Sequence, residues 1–194
     1  MWRLSATCLS SVLLLAACGG GGSGSHVFGV DGHIGPLHVD ESDRAAVILF
    51  AGKPDAERSA RLLNYSPYRA LGYGCTTKRS NDAVEIAHRA PYCRTVFFLD
   101  AKTGKLELFF TASREYTEAH GLRVGTSQAV AERRLRQLLH VGCVAALRLS
   151  SAKASLSVSF GGGVEHGTSI KGAHVDGFVL HGMRGGDPGI FDCL

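Results

Sequence analysis

The chain has 194 residues, 45% of them hydrophobic and 20% charged, with a net charge of +4. This is an ordinary globular composition, and the excess of positive charge is too mild to argue for a nucleic-acid binder. The one dense basic cluster, Arg133, Arg134 and Arg136, reads as the solvated face of a helix, with Glu132 and Arg136 placed as an i,i+4 pair.

Residues 1–17 read MWRLSATCLSSVLLLAA. Arg3 supplies a short positive region. Leu9 to Ala17 is an apolar run shorter than the ~20 residues needed to span a bilayer. Together they describe an export signal rather than a transmembrane helix. Leu15-Ala16-Ala17-Cys18 resembles the bacterial lipobox: an aliphatic residue, two small residues, then cysteine. The resemblance implies cleavage before Cys18 and a lipid on its thiol. Residues 19–25, GGGGSGS, form a flexible tether. The expected organisation is a lipoprotein signal at 1–17 and a lipidated cysteine with its tether at 18–28. The partner this implies is a membrane, reached through the lipid. The expected location is extracytoplasmic, at the cell membrane or outer envelope.

Six cysteines are present. Cys8 leaves with the signal and Cys18 takes the lipid. Cys75, Cys93, Cys143 and Cys193 remain, an even number in an oxidising compartment, and read as two structural disulfides. Four cysteines allow three pairings.

An internal echo organises the rest. Leu37-His38-Val39-Asp40-Glu41-Ser42 leads into an apolar stretch, Ala45 to Ala51. Leu122-Arg123-Val124-Gly125-Thr126-Ser127, 85 residues later, leads into Ala129 to Leu139. Both read as an extended lead-in, a turn, and a Ser at a helix N-cap. Val47-Ile48-Leu49-Phe50 has strand propensity, but Gly52-Lys53-Pro54-Asp55 suits a helix end followed by a new first turn. A second helix over Asp55–Leu63 places Ala56, Ala60 and Leu63 on one side. Strands are predicted at Tyr68–Tyr73, Val84–Ala87, Thr95–Leu99 and Lys105–Phe110, the last two joined by a hairpin loop at Asp100–Gly104. Alternation in Lys105–Phe110 turns Leu106, Leu108 and Phe110 inward and Glu107 and Phe109 outward. The helix of the second copy carries Ala131, Leu135, Leu138 and Leu139 on its apolar stripe. Strands follow at Val144–Leu149, Ser155–Phe160 and His174–His181, with a Gly-rich loop at Gly161–Gly172. In Ser155–Phe160, Leu156, Val158 and Phe160 point inward and three serines outward.

The pattern at Leu37–Asp55 resembles the small outer-membrane-assembly lipoproteins of the SmpA/OmlA type. The tandem arrangement, with a cysteine pair in each half, is similar to the β-lactamase inhibitor protein. Gly125-Thr126-Ser127 fits the glycine-containing family turn, whereas Asp40-Glu41-Ser42 departs from it. The resemblance implies an α+β fold of two tandem repeats, 29–111 and 112–194, each a helix pair packed on one face of an antiparallel sheet. It also implies the pairings Cys75–Cys93 and Cys143–Cys193.

Motifs of catalysis are absent from the sequence. The nine histidines show no His-x-x-x-His with a nearby Glu, and there is no Gly-x-Ser-x-Gly elbow or P-loop. His174 and His181, seven apart, fall on opposite faces of a regular strand. Asp40, Glu41 and Asp43 read as turn and first-turn acids rather than a calcium site. The expectation is a protein without catalytic, metal or cofactor sites that binds another protein, inhibitor-like action included. A structural or assembly role in the envelope is the alternative. The binding face would be the outer side of the sheet, at Glu107, Phe109, Ser157, Ser159, His174 and Asp176.

Overall fold

The computed structural model describes residues 26–61, 67–79, 83–85, 91–141, 145–161 and 172–183. Cys18, Cys143 and Cys193, the expected signal and the expected tether lie outside the described residues, as does most of the predicted Gly-rich loop. The elements are, in chain order, β1 Val27–Phe28, β2 His33–Ile34, β3 Leu37–His38, α1 Arg44–Ala51, β4 Ala56–Arg61, β5 Pro67–Thr76, β6 Val84–Glu85, β7 Tyr92–Asp100, β8 Leu106–Thr111, β9 Thr117–Glu118, α2 Gln128–Leu135, β10 His140–Val141, β11 Ala145–Ser150, β12 Ala154–Gly161 and β13 His174–Gly182.

Among the described residues the expected helix pairs are not there: each half shows one helix. One nine-stranded antiparallel sheet runs across both halves of the chain in the order β10-β11-β12-β13-β8-β7-β5-β4, with β6 on β7. Each half contributes one helix and a meander, and the last strands of the two halves, β8 and β13, pair at the centre. The fold is therefore mainly β, and the boundary expected between 111 and 112 does not separate two sheets. Asp55–Leu63 is not a helix: β4 pairs with β5 along its whole length, from Ala56↔Gly72 to Arg61↔Pro67. Its apolar spacing explains the misreading. Ala56 and Ala60 are four apart, which satisfies a helical stripe and an alternating strand equally, and both are buried.

α1 forms where the sequence placed it, although the cap is Asp43, whose Oδ1 accepts the Ala46 N–H at 3.0 Å. That bond is the main reason the Asp43 carboxyl is held below its usual value. Ser42 accepts the His38 N–H instead. Gly52 closes the helix at φ +82°, donating its N–H to Ile48 O. α2 ends four residues earlier than predicted: Arg136 turns left-handed at φ 54°. Glu132 Oε1 then accepts Gln128 Nε2 at 2.8 Å and the Leu139 N–H at 3.2 Å. Leu138, expected on the apolar stripe, is 85% exposed.

The echo survives as a local device. Asp40, at φ 63°, and Gly125, at φ 92°, occupy equivalent positive-φ turns. The Asp40 turn exchanges backbone bonds with Leu106 at the start of β8, and the Gly125 turn does so with Val175 at the start of β13.

A second, four-stranded sheet, β3-β2-β1-β9, joins α1 and α2 over one face of the large sheet, enclosing the main core. β1 runs parallel to β9, so the chain's lead-in is clamped to the connector between the halves. Phe28 lies edge-on to Phe109 of β8 at 5.6 Å and to Phe178 of β13 at 5.1 Å. The opposite face carries a smaller buried cluster built on Tyr68, Val96, Phe98, Leu108 and Val179. Beside it, Cys75 and Cys93 are ladder partners and form a disulfide.

Phe28 is fully buried at the junction of the two sheets. Phe28→Ala is expected to cost about 3–5 kcal/mol through lost transfer energy and a residual cavity. Urea denaturation should show a lowered midpoint at unchanged slope.

Candidate functional site

Two β-bulges shape the large sheet's second face. In β8, Leu106 pairs with Leu99 and Leu108 with Phe98, so Glu107 is an extra residue. In β13, Val175 pairs with Phe160 and Gly177 with Ser159, so Asp176 is another. A bulge adds one residue, bends the strand and reverses the alternation beyond it. Both carboxylates are thereby turned towards the second face.

Glu107 Oε1 accepts the Tyr68 hydroxyl at 3.2 Å and lies 3.6 Å from His181 Nε2. Burial pushes the Glu107 carboxyl above its ordinary 4.5, the Tyr68 hydrogen bond opposes this, and the charges of Asp100 and Asp40 add to the rise. Asp176 Oδ1 accepts the Ser159 hydroxyl at 2.6 Å, and burial again pushes its carboxyl up. Ser155 faces His181 directly across the ladder. Ser155, His181 and Glu107 thus form a row with the composition of a hydrolytic triad. His181 is only 3% exposed, and the half-buried Glu107 lies between it and Tyr68 at the centre of the sheet.

Of the six predicted face residues, Glu107, Ser157, Ser159 and Asp176 share the second face, and exposed His174 lies at its end. Phe109 does not belong there: it is 0% exposed in the main core. The bulge at Glu107 moves it, by placing Leu106 and Phe109 on one side. The bulge at Asp176 likewise puts His174 and His181 on the same face, against the expectation from their spacing. Tyr68 and His181 were missed as partners because they come from β5 and β13, far apart in sequence. Among the described residues, no group of three or more His, Cys, Asp or Glu is placed to hold a metal.

Two clefts mark opposite ends of the large sheet. One, of about 350 Å³, lies between Asp31, His38, Asp40, Glu41, Lys153 and Met183. Here the Asp40 carboxylate packs against Gly182, where a Cβ would come within 2.6 Å of Oδ2. The other, of about 330 Å³, is lined by His26, Phe50, Tyr73, Arg94, Thr95 and Tyr116, among others. His26 stacks at 5.4 Å from Phe50 and 5.0 Å from Tyr116. Burial pushes the Tyr73 phenol up to about 12, and its hydroxyl donates to Gly52 O at 3.1 Å.

No protein-family model and no curated protein matches the chain. Among solved structures, it is similar to the uncharacterized protein yfeY from Escherichia coli, with a TM-score of 0.45 and 12% identity over 79% of this chain and 95% of that one. It is also similar to an extracellular protein containing a SCP domain from Bacillus anthracis, with a TM-score of 0.40 and 10% identity. That match covers 72% of this chain and 43% of the other. The functional reading therefore stands on this chain's own residues.

The two raised carboxyls give a pH signature. Each binds its proton more tightly folded than unfolded, so native stability is lost as pH rises from the unfolded values, 4.5 for Glu107 and 3.8 for Asp176, through the folded ones. Glu107→Gln and Asp176→Asn remove that loss. Their stabilities relative to wild type are expected to rise with pH across this window and then level off, as read from urea midpoints at successive pH values. A difference that stays flat with pH would contradict the burial of the charges.

Proposed function

We propose that this protein is exported, lipid-anchored through Cys18, and acts as a membrane-tethered module that binds another protein rather than as an enzyme. The observation that carries the reading is Leu15-Ala16-Ala17-Cys18 followed by seven Gly/Ser residues that end where the folded head begins, at β1. The Cys75–Cys93 disulfide supports an oxidising compartment. No helix among the described residues is long and apolar enough to cross a membrane, so the lipid supplies the attachment in this reading.

The binding surface in this reading is the β11–β13 half of the second face. Ser157, Ser159, Asp176 and Arg148 are half-buried there, with exposed His174 at the end. Short hydroxyls flanked by one acid and one base suit a hydrogen-bonding protein partner, because they offer donors and acceptors at little entropic cost.

Cys18→Ser is expected to move the protein from the membrane to the soluble fraction and to abolish incorporation of labelled fatty acid. Unchanged membrane retention would sink the anchor. A photo-crosslinker at Ser157 or His174 of the anchored protein should yield a discrete protein adduct that Asp176→Arg removes. Two positions without any adduct would count against the binding face.

A further inference from the structure

Resting on the lipoprotein reading above, we infer that the outer face of α1 lies on the membrane that holds the Cys18 lipid, so that the head is oriented and not merely tethered. α1 reads Arg-Ala-Ala-Val-Ile-Leu-Phe-Ala, and Val47 is its only buried residue. Ala45 and Leu49, one helical turn apart, are exposed, Leu49 at 90%, and Ile48 beside them is half-buried. Past Arg44, which pairs with Glu57, α1 has no polar residue, and such a helix is normally covered. α2 provides the comparison within the same molecule. It docks on the same side of the sheet through an equivalent turn, yet its outward positions include Arg133 and Arg134, an ordinary solvated face.

The tether decides what covers α1. His26, the first residue of the head, packs on Phe50 in the last turn of α1. Residues 19–25 separate it from Cys18. Seven residues reach at most ~25 Å fully extended and average roughly 15 Å as a Gly-rich coil. The large sheet's longest strand, β5, has ten residues, or about 33 Å of length. The end bearing His26 and the last turn of α1 is therefore held close to the lipid surface. Lys153 and Met183 lie at the opposite end of the large sheet, beside Gly182 at the finish of β13. Anchoring makes the second contact intramolecular, so a patch too small to bind vesicles alone is sufficient. Insertion is shallow, with the apolar residues roughly 5–10 Å into the headgroup boundary.

The test uses the full chain, exported and acylated, in phosphatidylethanolamine–phosphatidylglycerol vesicles with brominated acyl chains. The only tryptophan, Trp2, lies in the signal, so one added tryptophan is an unshared reporter. Leu49→Trp is expected to emit blue-shifted light that brominated chains quench, while Lys153→Trp keeps a solvent-like, unquenched spectrum. Flotation and the mass of the N-terminal peptide report the anchor separately. A chain that carries lipid and floats, yet leaves the Leu49→Trp reporter unquenched or both reporters equally quenched, overturns the docked orientation and leaves the anchor standing. A chain without lipid overturns the anchor and this inference with it.

Discussion

The fold depends on the contact between Phe28 and the central strand pair. Among the described residues, β8 and β13 are the only direct joint between the two half-sheets, and their ladder is short, from Phe178↔Thr111 to His181↔Leu108. Four pairs would make a weak seam between larger meanders. The Phe28 ring lies over it and touches an aromatic residue from each side, Phe109 and Phe178. Phe28 is also held in β1, which pairs in parallel with β9 of the connector. One side chain thereby ties the lead-in, the connector and both halves. From it an aromatic series continues through Phe109, Tyr116 and His26 to Phe50, reaching the surface where the tether begins.

The second face is organised by two residues that the ladder leaves over. Glu107 and Asp176 each occupy a bulge, one in each of the two central strands. A regular strand would have turned Glu107 away from Leu108. The bulge brings it to Tyr68 and His181, and the sheet keeps a polar centre beside an apolar cluster. A buried carboxylate with partners from two other strands costs desolvation energy but fixes register, since a slip of one residue would strand it.

Local chemistry was legible in the sequence wherever it was decided locally. The helix at Arg44–Ala51 followed from Gly52 and the residues after it despite strand-prone residues, although its start is fixed by Asp43 and not by Ser42, the cap read from the sequence. The 85-residue echo marked two turns that need a positive φ. Asp40 fills one without being glycine, which acidic side chains tolerate better than most. The hairpin at Asp100–Gly104 was visible for the same reason, with Asp100 Oδ1 accepting the Lys102 and Thr103 N–H groups. What could not be read was parity. Alternation predicts which side a residue faces only until a strand gains an extra residue; the Glu107 bulge has no glycine or proline to announce it, and at the Asp176 bulge the neighbouring Gly177 was the one local signal. Phe109 and His181 were misplaced for that single reason. β4 failed differently, since alanines four apart fit two periods at once. The four-stranded small sheet was missed because its strands are two residues long, below any periodic signal.

The two halves are built alike but are not equivalent, and the difference lies on their helices. Equivalent turns carry α1 and α2 to equivalent strands. If both helices faced only water, the same physics would place charge on both outer faces. α2 carries Arg133 and Arg134 outward, whereas past Arg44 the exposed positions of α1 are Ala45 and Leu49. One feature belongs to only one half, the lead-in to β1, whose His26 packs on Phe50 in the last turn of α1. Symmetry of the fold sets where the helices sit. In the lipid-anchored reading proposed above, the single tether would break that symmetry by making the end at His26 proximal and leaving the cleft of Asp31, Asp40 and Lys153 at the opposite end.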